Sequence, residues 1–319
     1  MIILILSISC VLFLLPADIF YLDLLQSFSF HAILGYAFLF VFFYLFRWKY
    51  PAVTALTACL LLSIYLLPHI RNINSQSYKW QGQKVKVAHF NLLANNSSHV
   101  ASVRLALSTD ADLLSFQEVD MIWINQLVDG LSEEYPYFAF TNGMYHGVAV
   151  FSRYPLEEIK TYRWTGEPTL TGDVLIDRQR IHFVATHTLS PRTAERYLNR
   201  NEHLEKLASY IREQNGPVMA IGDFNAVPWS QKMMKVKKVA DLTDSRKGVV
   251  PTYPSKLREG GIPIDYILHS DEIACLQFEA IDPAGSDHRG IFGEYIVRGT
   301  WENQPLSKTE GPALSEASI

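Results

Sequence analysis

With 319 residues, 49% of them hydrophobic, the chain has room for one large α/β domain and a smaller second part. Its 28 Lys and Arg against 32 Asp and Glu give a net charge of −4, which excludes the broad basic excess that duplex binders use to displace counterions. Cys10 and Cys59 lie in apolar runs and Cys275 stands alone in the remainder, so an intradomain disulfide and a thiolate metal site are both excluded there, leaving oxygen ligands for any metal.

The amino-terminal part is apolar. Residues 1–15, 30–46 and 52–67 are uncharged and rich in Leu, Phe, Ile and Ala. Any one of these runs sits near the lower limit of about 17 residues for a spanning helix and fits a buried core helix equally well. Three within the first 70 residues predict a membrane anchor of three transmembrane helices over residues 1–70. A cleaved signal peptide fits poorly, because no Lys or Arg precedes the first run and no small-x-small site follows it. The connection Arg47-Trp48-Lys49-Tyr50 is cationic, whereas the first connection carries Asp18 and Asp23, so the second loop is expected in the cytoplasm. That orientation makes this a multi-pass membrane protein with its larger part extracytoplasmic, or periplasmic from the inner membrane of a Gram-negative cell. Arg71, Lys79, Lys84 and Lys86 pull the other way. Residues 71–83 form a polar linker, expected to be flexible and long enough to lift the next domain just off the headgroups.

From residue 84 to 298, strand and helix patterns alternate. A strand opens at Val85, a helix follows Ser98, a strand ends at Phe116, and a helix covers about Ile122 to Leu131. Val148 to Phe151 form a further strand, and a β-region lies between Val174 and Thr186. The clearest helix opens at Ser190-Pro191, a cap followed by proline at the first helical position, and closes at Gly216. Its Leu198, Leu204, Leu207, Tyr210 and Ile211 recur near helical spacing and should pack on the sheet. Strands and loops then alternate to Val297, and the tail at 299–319, rich in Ser, Glu and Pro, is expected to be disordered. Mixed strands and helices with polar residues at strand ends indicate an α/β fold.

Those strand ends carry the chemistry. Buried-type runs end at Asn91, at Gln117-Glu118, at His187 and at Asp223, the last followed by Asn225. Asp265 opens the apolar run Tyr266-Ile267-Leu268, and Ser286-Asp287-His288-Arg289 precedes another strand. One such residue is usually a turn or a helix cap. The whole set is what a hard divalent cation and a phosphate ester need: carboxylates for Mg²⁺ or Mn²⁺, imidazole and amide groups for phosphoryl oxygens.

Asn91, Gln117-Glu118, Ser152-Arg153-Tyr154-Pro155, Thr186-His187, Gly222-Asp223-Phe224-Asn225-Ala226, Asp265-Tyr266 and Ser286-Asp287-His288 together resemble the ordered signature of the endonuclease/exonuclease/phosphatase superfamily, over roughly residues 84–298. The resemblance implies a four-layer α/β/β/α sandwich of two packed β-sheets and a metal-dependent phosphoric ester hydrolase. Glu118 takes the place of the principal metal ligand, with Asn91 supporting the metal or a phosphoryl oxygen. Asp223 would orient or deprotonate the attacking water and Asn225 would donate to the phosphate. His288 is the candidate general base or transition-state stabiliser, and its choice over Asp223 as base stays open. Asp287 would either pair with His288 or serve the metal. His187 would stabilise charge or protonate the leaving oxygen, and Asp265 completes the acidic cluster with room for a second cation. His89, His99, His182, His203 and His269 read as structural, while Tyr145 and His146, where the chain departs from the superfamily pattern, are candidates to touch substrate.

The resemblance implies a phosphate-ester substrate, and the apolar runs add the membrane as the one further expected partner, with no protein partner identified. Setting aside Arg47, Lys49, Asp18 and Asp23 leaves the balance at −4, so a phospholipid headgroup or small phosphodiester is favoured over nucleic acid. A local patch of Arg178, Arg180, Arg192, Arg196 and Arg200 keeps a nuclease acting on extracytoplasmic DNA or RNA as the alternative. A non-catalytic binding module that kept the fold is the third possibility.

Overall fold

The structure is a computed structural model that describes residues 1–15, 19–70, 82–141, 146–177, 179–298 and 315–316. The expected linker lies almost wholly outside these residues, as does the tail at 299–319 apart from Ser315–Glu316, which pair with a strand.

The apolar part forms four helices, α1 (Ile2–Leu14), α2 (Phe20–Gln26), α3 (Ser29–Leu45) and α4 (Lys49–Ile70). Three spanning helices were expected; one, α4, is long and apolar enough by itself. Helix α1 has 13 residues, a rise of about 20 Å against a hydrocarbon core of about 30 Å. Helices α2 and α3 meet the length test only as one span broken by a 60° bend. The bend falls where polar Asp23, Gln26 and Ser29 are buried; Asp23 accepts from Arg200 and Gln26 Nε2 donates to Leu15 O, while Ser29 Oγ donates locally to Gln26 O. Leu6, Cys10, Tyr36, Phe43, Ala55 and Leu62 knit α1, α3 and α4 together. Small residues Ala52, Ala55 and Ala58 on α4 let the backbones approach.

The chain then runs through β1 (Gly82–Asn91), α5 (His99–Ser108), β2 (Leu113–Val119), α6 (Met121–Leu131), β3 (Tyr137–Phe140) and β4 (Gly147–Ser152). Next come β5 (Leu156–Tyr162), β6 (Thr169–Ile176), β7 (Gln179–Thr186), α7 (Ala194–Arg212) and β8 (Val218–Asp223). It continues with α8 (Gln231–Ala240), β9 (Thr243–Asp244), β10 (Asp265–His269), β11 (Ile273–Ile281), β12 (Gly290–Arg298) and β13 (Ser315–Glu316). One sheet has the order β11-β12-β1-β2-β4-β3-β13 and the other β5-β6-β7-β8-β10-β9. Strand alternation aims Val85, Val87, Leu113, Val148 and Val150 of the first sheet at Leu170, Phe183, Met219, Ile221 and Ile267 of the second, forming the central core. The opposite face of the first sheet is covered by Val103, Trp123, Leu127 and Leu131 of α5 and α6. Leu204, Leu207, Met233 and Val236 of α7 and α8 cover the other sheet. Two packed sheets with helices outside match the expected sandwich.

Two local expectations need correction. Helix α7 begins at Ala194, because Thr193 is the cap that accepts from Arg196 N at 3.2 Å, and it ends at Arg212 before Gly216. Leu198 is exposed, while Arg200 and His203 on the same helix are buried. Helix α8 was read as loop and strand, because four lysines interrupt its apolar positions Met233, Val236 and Ala240.

The sandwich is docked on the apolar helices, contrary to the expectation of a domain held off by its linker. Leu66 of α4 is buried against Val227, Trp229 and Ile264, with Phe30, Ile33 and Tyr65 around it. Trp229 Nε1 donates to Gln26 O at 2.7 Å, Tyr65 Oη donates to Trp229 O at 3.2 Å, and Gly248 N donates to Ile70 O at 2.8 Å.

Candidate active site

β1, β2, β7, β8 and β10 deliver their terminal residues to one rim of the sandwich, where strand ends of the two facing sheets lie side by side. β1 runs parallel to β2, and β7 parallel to β8, so Asn91, Gln117, Thr186 and Asp223 emerge on the same side. β10 runs antiparallel to β8 and starts with Asp265 opposite Asp223. A bulge at Gln117/Val119 puts Glu118 at φ 57° and lets Gln117 and Glu118 face different ways. Gln117 fastens the sheets together: its Nε2 donates to Thr186 O and its Oε1 accepts from Asp223 N at 2.8 Å. Gly222, at φ 144°, is required here, since a Cβ would run into Thr186 O and Gln117 Nε2.

Around Asp223 Oδ2 four nitrogen-bearing groups converge. Asn225 Nδ2 lies at 3.2 Å, Asn91 Nδ2 at 3.4 Å, and His187 Nε2 and His288 Nε2 each at 3.7 Å. Asn91 Nδ2 also donates to Glu118 Oε1 at 3.0 Å, and His187 Nε2 is 3.8 Å from the same oxygen. Asn225, at φ 49°, is fixed by donating Nδ2 to Thr188 O at 2.8 Å while its backbone N–H caps Asp223 Oδ1 at 2.8 Å. The expected Glu118, Asn91, Asp223, Asn225, His187, Asp265 and His288 thus share one pocket. Glu118, 21% exposed, and His146, 44% exposed, mark its open side. The His146 ring lies 5.6 Å from that of His187. Tyr145 falls outside the described residues.

The structure assigns His288 its partner. Asp265 Oδ2 is 2.9 Å from His288 Nδ1, and Asp265 Oδ1 is 3.2 Å from His89 Nε2. Asp287 has no such part: its side chain is half-buried, and its carbonyl accepts from Ser255 N at 2.7 Å. Asp265 therefore orients two imidazoles with its two oxygens. Tyr253, at a ring distance of 4.8 Å, backs His288 from the other side.

Burial and charge act unequally on these groups. Burial raises Asp223 well above the usual carboxylate range and the negative charge of Asp265 adds to it, opposed by His288. Burial also works against the Asp265 carboxylate, but His288 and His89 outweigh it and hold it ionised. Burial alone depresses His288; the carboxylates of Asp265 and Asp223 reverse this and raise it to about 10. For His187 burial dominates; reinforced by His146 and His288 and only partly offset by Asp265, it takes the imidazole down to about 3.

Asp223, Asp265 and His288 each bring one ligand atom within 4.8 Å of the others, the spacing of a metal site. Contacts with His89 and His288 already engage both Asp265 oxygens and, on the second ring, His288 Nδ1. The open side keeps Glu118, the Asp223 carboxylate and the Asn91 amide, an oxygen-rich donor set that suits a hard divalent cation. Asp223, raised by burial despite the nitrogens around it, is the kind of buried carboxyl whose charged form such a cation favours.

Four residues of the site were not expected. His89 was read as structural, although period-2 alternation on β1 puts it on the same face as Asn91. Gln117 was seen only beside Glu118. Tyr253 and Arg200, whose Nη1 donates to Asn225 O at 2.7 Å, carried no signal in sequence because their contacts lie across the fold.

No curated protein matches the chain. Among solved structures, an endonuclease/exonuclease/phosphatase from Beutenbergia cavernae superposes with a TM-score of 0.57 at 18% identity, covering 68% of this chain and 72% of that one. D. rerio TDP2 complexed with a single-strand DNA product gives 0.56 at 16%, covering 67% and 99%. An endonuclease/exonuclease/phosphatase from Bacteroides vulgatus gives 0.56 at 16%, covering 68% and 100%. Such identities establish the shared fold. The profile of the Endonuclease/Exonuclease/phosphatase family matches residues 72–288, more than half of the chain, and the protein belongs to that family.

Proposed function

We propose that the protein is a membrane-anchored, divalent-cation-dependent phosphoesterase that cleaves its substrate by in-line attack of water. The observation that carries this reading is the ring of Asn91, Asn225, His187 and His288 nitrogens around Asp223 Oδ2, next to Glu118 at an open rim. Nitrogen donors gathered about an oxygen anion suit a phosphoryl group, and a buried carboxyl among them suits an attacking water. Glu118, with Asn91 beside it, would hold Mg²⁺ or Mn²⁺, which when bound neutralises charge developing on the phosphoryl oxygens. Asp223 orients the water and takes its proton as the new P–O bond forms and the bond from phosphorus to the leaving oxygen breaks, that oxygen departing with the electron pair and taking a proton from solvent. His288, kept positively charged by Asp265, donates from Nε2 to a phosphoryl oxygen. His187 donates from Nε2 in its neutral form, which argues against its serving as the acid for the leaving oxygen.

Membrane attachment is supported by the outer surfaces of the apolar helices. Leu34, Phe38, Leu45, Val53, Leu60 and Ile64 are each more than half exposed, an apolar belt that water does not favour. The loop charges favour a multi-pass anchor with the catalytic domain on the extracytoplasmic side. For the substrate, two of the five arginines of the expected patch are engaged within the fold, Arg180 with Asp173 and Glu157 and Arg200 with Asp23, while Arg192 is exposed and Arg196 half-buried. Arg178 falls outside the described residues. A small or lipid phosphodiester therefore fits better than nucleic acid, the class seen with D. rerio TDP2.

The test is to incubate the full chain, purified in detergent, with Mg²⁺ or Mn²⁺ and three substrates: bis(p-nitrophenyl) phosphate, phospholipid in mixed micelles, and single-stranded DNA. Turnover of the first two with little on DNA is expected. Preferential DNA cleavage would turn the reading to a nuclease, and inactivity on all three would leave a binding module.

A further inference from the structure

We propose that the apolar amino-terminal helices are a working part of the catalytic unit, and that Asp23 is a positioning residue for the loop bearing Asp223 and Asn225. This rests on the phosphoesterase reading for its kinetic consequence but not for the coupling itself.

The link is Arg200 on α7, 1% exposed and facing inward from a helix whose other arginines reach solvent or half-burial. Its Nη1 donates to Asn225 O at 2.7 Å, and its Nη2 to Asp23 Oδ2 at 3.0 Å. Nε and Nη2 both reach Asn201 Oδ1, at 3.1 and 2.8 Å, and the guanidinium stands 5.0 Å over the Tyr197 ring. Asp23, 4% exposed, is the one carboxylate in contact with it among the described residues, and it comes from α2. A guanidinium cannot shed its proton, so a buried Arg200 needs that carboxylate.

The same loop is gripped again a few residues on. Trp229 Nε1 donates to Gln26 O, one turn along α2 from Asp23. Tyr266 Oη donates to Ala226 O at 2.6 Å from within the second sheet. Residues 223–229 are thus held between the sheet and α2, with Asn225 at φ 49° in a conformation that non-glycine residues seldom adopt. Without Asp23, the buried charge of Arg200 must move toward water, and it would take its hold on Asn225 O with it. Asn225 and Asp223 would lose their registration, while the rim residues of β1, β2 and β10, anchored elsewhere, would stay. The effect should therefore fall on the chemical step more than on binding.

The experiment compares full-length wild type, Asp23→Asn and Asp23→Glu in detergent, by steady-state cleavage of bis(p-nitrophenyl) phosphate and by hydrogen exchange of amides 223–230. Asp23→Asn should lower kcat by about 10- to 100-fold with KM little changed, in line with the sensitivity of catalysis to small misplacements. Asp23→Glu, which keeps the charge, should recover a large part. Amides 223–230 should exchange faster in Asp23→Asn alone. Wild-type kcat and wild-type exchange in Asp23→Asn would overturn the inference, as would equal loss in Asp23→Glu and Asp23→Asn with unchanged exchange. If wild type itself fails to turn over, the phosphoesterase reading falls, and the exchange measurement still decides the coupling.

Discussion

Acidification should destabilise the folded chain through one histidine on α7. His203 is 0% exposed, with Nε2 at 2.9 Å from Thr169 Oγ1 and 3.0 Å from Thr186 Oγ1, and Nδ1 at 3.0 Å from Thr165 Oγ1. Burial, reinforced by His187 and Lys206, lowers its pKa from 6.5 to about 4. The unfolded chain takes up this proton near pH 6.5 and the folded chain only near pH 4, so protons favour unfolding between the two. Stability is fully present above pH 6.5, falls as the pH drops, and loses no more from this residue below pH 4. At about 1.4 kcal/mol per pKa unit the limiting loss is about 3 kcal/mol, of which about 2 kcal/mol is gone by pH 5. For a chain of this size that is a fall in Tm of roughly 3 °C. Circular dichroism melts of the full chain in detergent at pH 7 and pH 5, for wild type and His203→Gln, isolate the term, because His187 and other groups contribute to both. The wild type should lose that much more than the variant. An equal acid-induced fall in the two would refute the reasoning.

Two further outcomes follow from packing and backbone geometry. Gly222→Ala should lower Tm and abolish turnover, because its Cβ must displace Thr186 O or Gln117 Nε2 and so part the two sheets at the rim; wild-type turnover would contradict this. Leu66→Ala should cost about 2–5 kcal/mol at the contact between α4 and the sandwich, where Leu66 meets Val227, Trp229 and Ile264. An unchanged melt would show that this docking contributes little.

Much of the site was legible because its residues follow buried runs. Val218 to Ile221 are apolar and Asp223 is not, and the same break marks Asn91, Glu118 and His187. A carboxylate at that point has few purposes besides chemistry or a turn, and several together leave chemistry. The pairing of these residues was not legible. Asp287 adjoins His288 in sequence, yet successive residues of an extended chain point apart, and the carboxylate that reaches His288 comes from β10. His89 belongs to the same network through Asp265, a contact between residues 176 positions apart.

The apolar helices show the opposite limit. Uncharged runs at 1–15, 30–46 and 52–67 revealed where apolar surface lies but not where helices break. The bend between α2 and α3 falls where Asp23 and Gln26 find partners distant in sequence, Arg200 and Leu15 O, which no local pattern announces. Arg200 was read as one of several surface arginines, since nothing local distinguishes an arginine that faces solvent from one that faces α2.

The central claim is that Glu118, Asp223 and His288 form one cation-dependent phosphoester site. Its most direct measurement is phosphodiester turnover by the full chain after EDTA treatment and on return of Mg²⁺ or Mn²⁺, alongside Glu118→Gln and His288→Ala with matching melts. Activity should vanish with EDTA, return with either cation in the wild type, and stay absent in both well-folded variants. Turnover that survives chelation, or full activity in either variant, would contradict the account.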